Sequence, residues 1–377
     1  MALPNETLHT IFAQLPPSTL AVLACVSYRF NAVAERILYS SISITDFLSG
    51  SSPHPLRTLW WAESMRRRPH LIEAIKKLHI RWQADPSVPP PHYLLGACDR
   101  LAEVVRHLVF LESLDLFMGP ANLISNFPHP PGYFEPQMHA VERVLRDCRF
   151  PQLRSCALGA EWTKNGQPYT TTLIAFLASL SNLRHLKLSD LHSPVVLPPS
   201  VLPLLTSFRG SADAAASILP GRPVHYLALI GQDSDLNRDN LRLMTYGSVP
   251  LRYIDLSAMS ARPNILKLVS TYLPTVESLR VKLALRHTLH YSFSGIRMLT
   301  GLSSVLTAFP LLTNLDLSPT GVAGVGRGNS GEERSLCEEW FRACPTLNRV
   351  IFPSQSEWVL ESDSNLWVQY PNSVPSA

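Results

Sequence analysis

The sharpest chemical pattern in the chain is Gly326-Arg327-Gly328-Asn329-Ser330-Gly331. Glycines at that spacing can form a tight turn that seats a pyrophosphate on a helix N-terminus, as in dinucleotide sites. Its context argues otherwise. The first glycine falls well after the apolar strand pattern that ends at Leu317, and the next strand pattern runs into Phe352-Pro353 with no acidic side chain to hold a ribose. His287 and His290 lie close together, but no third ligand at metal spacing accompanies them. Cys25, Cys98, Cys148, Cys156, Cys337 and Cys344 are scattered without a C-x-x-C pair. That distribution suits buried, reduced thiols in an intracellular chain better than a disulfide framework. Arg66-Arg67-Arg68 follows Trp60-Trp61 and is stopped by Pro69, which reads as a solvated helix C-terminus rather than a stacking platform for nucleic acid. No nucleophile elbow, phosphate loop or zinc-protease signature occurs. The residues predict no catalytic site, no metal and no cofactor.

The elements around these residues point to binding instead of bond chemistry. Of 377 residues 46% are hydrophobic and 16% charged, so a sizeable core can form, and the net charge of +4 is too small to demand a nucleic-acid partner. Glu6 stands near the start with no basic segment before an apolar run, and the apolar stretch Leu20 to Val26 is too short to cross a bilayer. The expected location is cytoplasmic or nuclear, with no membrane partner. Prolines cluster at Pro53–Pro55, Pro86–Pro91, Pro128–Pro136, Pro194–Pro203 and Pro371–Pro375, cutting the chain into short units.

Three short helical patterns open the chain. Leu8, Ile11, Phe12 and Leu15 form one apolar stripe, with Asn5 as the expected N-cap and Pro16-Pro17 as the stop. Leu20, Leu23 and Ala24 share a side of the second helix, and Phe30, Val33, Ala34, Ile37 and Leu38 recur at helical spacing in the third. So small a unit buries little surface and tends to lean on a partner. The run Leu3-Pro4-x-Glu6-x-Leu8-x-x-Ile11-Phe12-x-x-Leu15-Pro16, continued by Leu20-x-x-Leu23-x-x-Val26-Ser27-x-Arg29-Phe30-Asn31, resembles an F-box. The exit Leu38-Tyr39-Ser40-Ser41-Ile42-Ser43-Ile44 is similar to that of fungal F-box proteins, although Phe30 stands where many members carry tryptophan. The resemblance implies docking on the Skp-type adaptor of a cullin–RING ubiquitin ligase. It places the contacts at Leu3, Pro4, Ile11, Leu15, Pro16, Leu20, Leu23, Val26 and Phe30.

The rest of the chain repeats L-x-x-L-x-L and close variants. Copies start at Ile75, Leu111, Leu153, Leu183, Val224, Leu251, Val276, Leu312 and Leu347, with a weaker one at Leu205-x-x-Phe208. Alternate residues of a strand share a face, so the L-x-L pair would point inward, covered by the preceding helix, and parallel stacking would bury a continuous spine. The spacing is irregular and the asparagine that usually follows the strand is missing. The expected fold is therefore α/β: a three-helix F-box followed by a divergent leucine-rich-repeat-like α/β solenoid with a parallel sheet. The expected boundaries are 1–45 for the F-box, 46–70 for a linker helix, 71–353 for the solenoid and 354–377 for a C-terminal tail.

Such a chain would be the substrate-recognition subunit of an SCF-type ligase, itself non-catalytic; the alternative is a repeat scaffold with no link to ubiquitination. The residues flanking each L-x-L should form the substrate face: Lys77, His79, Arg81, His185, Lys187, Arg280, Lys282 and Arg349, with Tyr226 and Tyr253 as aromatic anchors. Asp115, Asp255 and Asp316 are the acids expected there. Lysines and arginines outnumber these aspartates, which predicts an acidic or phosphorylated guest.

Overall fold

The computed structural model describes residues 3–85, 94–120, 122–123, 138–161, 169–284, 299, 301–321, 330–361 and 363–370. His287, His290 and the glycine run through Asn329 lie outside the described residues. The chain divides into two compact units, Met1–Leu191 with Ser200–Leu204, and His192–Pro199 with Leu205–Ala377.

The first unit opens with helices α1 (Asn5–Phe12), α2 (Pro17–Ala24) and α3 (Tyr28–Leu38). Helices then alternate with strands: β1 (Ser41–Leu48), α4 (Leu56–Arg67), β2 (Lys77–Ala84), α5 (Leu94–Val105) and β3 (Ser113–Pro120). A small antiparallel pair, β4 (Asn122–Leu123) and β5 (Met138–His139), precedes α6 (Ala140–Leu145), β6 (Ser155–Glu161), α7 (Thr170–Ala178) and β7 (His185–Leu188). Strands β1, β2, β3, β6 and β7 lie side by side in that order, all parallel.

The second unit carries β8 (Ser207–Gly210), α8 (Ala212–Ile218), β9 (Tyr226–Leu229), α9 (Arg238–Met244), β10 (Tyr253–Ala261), α10 (Pro263–Tyr272) and β11 (Ser278–Leu283). It ends with α11 (Ser303–Leu306), β12 (Asn314–Asp316), α12 (Ser330–Ala343), β13 (Arg349–Ile351), β14 (Glu357–Glu361) and β15 (Leu366–Tyr370). Strands β8 to β13 are parallel neighbours; β14 and β15 add to β13 antiparallel.

The repeat register follows the leucine spacing. Leu78, Leu114, Cys156 and Leu186 stand opposite one another on successive strands, as do Phe208, Leu227, Ile254, Leu279, Leu315 and Val350 in the second unit, and all are buried. The first position of each copy, from Ile75 to Leu347, is buried as well. One backbone device recurs at each step. The carbonyl just before a strand accepts two N–H groups from the next repeat: Ser40 from Lys76 and Lys77, Lys76 from Glu112 and Ser113, Glu112 from Arg154 and Ser155. His225, Arg252, Glu277 and Thr313 do the same in the second unit. These bonds begin each ladder at the same point, which keeps the apolar set on the covered face.

The weaker copy at Leu205 also forms a strand, β8. The structure departs from the sequence expectations in three places. Residues Ser41–Leu48, split between the expected F-box and the linker, form β1, paired along its whole length with β2, so only Leu56–Arg67 of the linker is a regular α-helix. Part of the expected tail, Glu357–Glu361 and Leu366–Tyr370, is a hairpin on the open edge of β13. It forms because an uncovered edge leaves backbone groups unpaired, and because Trp358 and Trp367 find buried positions there. Asn5 does not cap α1: Pro4 occupies the N-cap position, and the Asn5 side chain is used elsewhere.

Candidate protein-docking surfaces

The three opening helices bury only Leu8, Phe12, Leu20, Val33 and Ala34, with Leu15, Leu23, Phe30, Ile37 and Leu38 packed partly against them. Phe12 and Phe30 meet edge to face, centroids 5.3 Å apart. Ser27 caps α3 by accepting the Phe30 N–H at 3.2 Å, Pro17 starts α2 with the φ a helix needs, and Asn31 Nδ2 donates to the Ala24 carbonyl at 3.0 Å. Arg29 reaches back to the chain start, donating to Asn5 Oδ1 at 2.8 Å and to the Leu3 carbonyl. That clamp holds the Leu3-Pro4 segment against the third helix.

With so few residues inward, the remaining apolar side chains face water. Leu3 is 51% exposed, Ile11 47%, Val22 67%, Val26 62% and Tyr28 92%, and Pro4 and Pro16 are exposed too. Of the contacts expected from sequence, Leu3, Pro4, Ile11, Pro16 and Val26 are therefore open, whereas Leu15, Leu23 and Phe30 are half-buried. Leu20 is a correction: at 2% exposure it is core, because the stripe of α2 is turned toward α3. Val22 and Tyr28 escaped the sequence reading. Their signal was available, as apolar residues off the buried phase of their helices.

The module is tied to the first repeats. Arg68 Nη1 lies 3.0 Å from Glu35 Oε1, and its Nη2 donates to Tyr39 Oη at 3.2 Å. Arg66 and Arg67 both pair with Glu63, at 3.0 and 2.9 Å, so the basic run is occupied locally.

The second surface is the sheet face that the helices leave open. In the first unit His79 pairs with Asp115 at 3.1 Å, and the Arg81 guanidinium lies over the Phe117 ring, 4.6 Å from its centroid. His185 and Lys187 stand on β7, level with Lys77 and His79 respectively. In the second unit Arg280 pairs with Asp316 at 3.2 Å and Arg349 with Glu357 at 2.7 Å. Tyr226 and Tyr253 are opposite neighbours on β9 and β10, and they line a shallow depression of about 160 Å³ with Asp255, Arg280, Asp316 and Arg349. Lys282 is exposed at the end of β11. Two of the expected cations, Arg280 and Arg349, are thus neutralised by acids on neighbouring strands, Glu357 among them, which the sequence reading did not pair.

A buried polar cluster was also invisible in the sequence. His139 Nε2 lies 3.2 Å from Asp190 Oδ2, Tyr169 donates its hydroxyl to Asp190 Oδ1 at 2.9 Å, and the His139 and Tyr169 rings stack 4.2 Å apart. His139 Nδ1 accepts the Val141 N–H at 3.2 Å, capping α6. The group gathers the starts of α6 and α7 and the segment after β7 around one buried point. Burial, then the Asp190 charge, pushes the Tyr169 phenol well up.

All six cysteines are free thiols, and all but Cys25 are buried. Burial pushes the Cys148 thiol up to about 12 and those of Cys98, Cys156 and Cys337 higher still, which keeps them protonated and unreactive. Among the described residues no group of three His, Cys, Asp or Glu side chains could hold a metal ion, and no helix is long and apolar enough to cross a membrane.

Among solved structures the chain is similar to the leucine-rich-repeat-containing protein LegL7 from Legionella pneumophila: 14% identity, 83% of this chain and 92% of that one, TM-score 0.42. The Rad7 and Elc1 complex in yeast matches at 15% identity over 92% of this chain and 87% of that one, TM-score 0.33. No curated protein matches the sequence. Residues 1–45 match the F-box-like family model, and with three short helices around a minimal core this segment is an F-box-like domain.

Proposed function

We propose that the chain is the substrate-recognition subunit of an SCF-type cullin–RING ubiquitin ligase. Its F-box-like domain docks on the Skp-type adaptor, and the repeat array holds a protein substrate. The observation that carries this reading is the set of uncovered apolar residues on a domain with so small a core: Leu3, Ile11, Val22, Val26 and Tyr28. A module that buries little of its own surface gains most of its stabilisation from a partner, and helices present such residues to a groove. The subunit does no bond chemistry. It contributes proximity, holding substrate lysines near the ubiquitin donor. The Arg68 clamp to Glu35 and Tyr39 supports this role, since it fixes the docking helices to the first repeats.

The test is co-purification of the intact chain with the adaptor under reducing conditions. Wild-type chain is expected to retain it, and Leu3→Ala with Pro4→Ala to lose it without a change in melting temperature. A folded wild-type chain that captures no adaptor removes the ligase assignment and leaves a repeat scaffold.

A further inference from the structure

The open sheet face of the first unit differs from that of the second in how its charges are used. Arg280 and Arg349 in the second unit have acidic partners. In the first, Lys77, Arg81 and Lys187 have none among the described residues. Arg81 is the most telling of the three. It is half-buried, its Nε is inaccessible and makes no hydrogen bond, and its guanidinium is held flat by the Phe117 ring. A guanidinium fixed in this way keeps its outer donors available for a carboxylate at little entropic cost. The acids on this face are already engaged: Asp115 faces His79 at 3.1 Å, and Glu161 accepts the Ala84 N–H at 2.9 Å.

The shape between the cations is a trough. Strand β6 offers Ser155, Ala157 and Gly159 on this face, the smallest side chains of the sheet. At Gly159 a Cβ would come within 2.8 Å of Ser189 Cβ, so the floor there admits no side chain without displacing its neighbour. The cations stand around this floor and do not converge. Lys77 and Arg81 are about 13 Å apart along β2 at 3.3 Å per residue, and β2 lies three strand spacings from β7, roughly 14 Å. One phosphate cannot reach all three, whereas carboxylates spread along an extended chain can.

We propose that the helix-free face of the β1–β2–β3–β6–β7 sheet docks an extended acidic segment of a partner protein, its carboxylates met by Lys77, Arg81 and Lys187. The proposal deepens the reading of the repeats as the substrate-holding part and rests on it, and it names the chemistry of the guest. The attraction is between partly exposed charges, so binding weakens as salt rises.

The experiment uses the full-length chain and fluorescein-labelled peptides of about a dozen residues, long enough to cross the trough at 3.3 Å per residue. The probes are alternating Glu-Gly, alternating Ser-Gly, and Ser-Gly with one phosphoserine. Anisotropy should show the Glu-Gly peptide binding tightest, with affinity falling as salt is added. Lys77→Glu combined with Lys187→Glu should weaken it several-fold, as should Arg81→Gln; Lys267→Glu, exposed on helix α10 of the second unit, should leave it unchanged. Lys77 is exposed and Lys187 half-buried on the open face, outside the core, so their variant keeps the test decisive if Arg81→Gln misfolds, which circular dichroism would reveal. Glu-Gly binding no tighter than Ser-Gly, binding indifferent to the lysine reversals, or a preference for the phosphoserine peptide overturns the proposal. Adaptor capture by the same preparations separates the two readings: its loss with peptide binding intact counts against the ligase assignment alone.

Discussion

At the scale of single residues, burial decides between packing and docking for side chains of the same type. Leu20 and Val22 are two positions apart on α2, but one is core and the other lies open. Leu20→Ala should therefore destabilise the chain by ~2–5 kcal/mol, the usual cost of emptying a buried leucine site. Val22→Asp should leave the melting temperature in place and reduce adaptor capture, as should Tyr28→Ala. A melting series beside a pull-down reads both outcomes; a stable Leu20→Ala protein would mean that the three-helix core is packed differently. Leu186 carries a second residue-scale expectation. It sits opposite Cys156 in the buried spine, so Leu186→Asp buries a carboxylate without a partner and should cost several kcal/mol in denaturant unfolding.

At the scale of elements, buried polar groups act as joints between neighbouring repeats. Asp46 on β1 accepts the Arg57 and Thr58 N–H groups at 2.9 and 3.1 Å and the Thr58 hydroxyl at 2.7 Å, which satisfies the free N-terminus of α4. The same hydroxyl accepts Trp82 Nε1–H at 3.0 Å, linking the cap to β2. Asp46→Ala should cost ~1–2 kcal/mol, as the loss of a capping side chain does. Amide exchange should locate the effect at Arg57 and Thr58; unchanged protection there would show that the cap contributes nothing. Gly231 has φ +115, and an added Cβ would lie 2.7 Å from Asp235 Oδ2, the atom that accepts the Gln232 N–H. Gly231→Ala is expected to open that turn.

For the whole molecule, an array of parallel strands must solve the problem of its edges. At the C-terminal end of the second unit β14 and β15 turn antiparallel and cover β13. Buried Glu333 on α12 locks this cover, accepting Trp358 Nε1–H at 2.8 Å and the hydroxyls of Ser354 and Ser356. Phe341 meets Trp367 edge to face, centroids 6.4 Å apart. Truncation after Pro353 removes the covering strands, strips Glu333 of its donors and bares the β13 edge. The truncated chain should melt lower and self-associate, which light scattering after size-exclusion chromatography would detect. A monomeric product with the parent's melting temperature would show that the hairpin is dispensable.

The sequence by itself determined which residues form the spine. From Leu78 and Ile80 to Val350 and Phe352, every L-x-L pair faces inward, because strand alternation is a local property and nine such pairs cannot all be accommodated outside. It also marked the three opening helices. Only the tertiary structure decided the rest. Helices as short as α1 and α2 have a buried side that depends on where α3 lies, so Leu20, expected at the docking face, turned inward. Charge pairing across strands depends on register: His79 meets Asp115, and Arg280 meets Asp316, only once β2 lies against β3 and β11 against β12. The hairpin at residues 357–370 has no meaning without the open edge it covers. In each case the deciding interaction joins residues far apart in the chain, and local patterning carries no information about such a meeting.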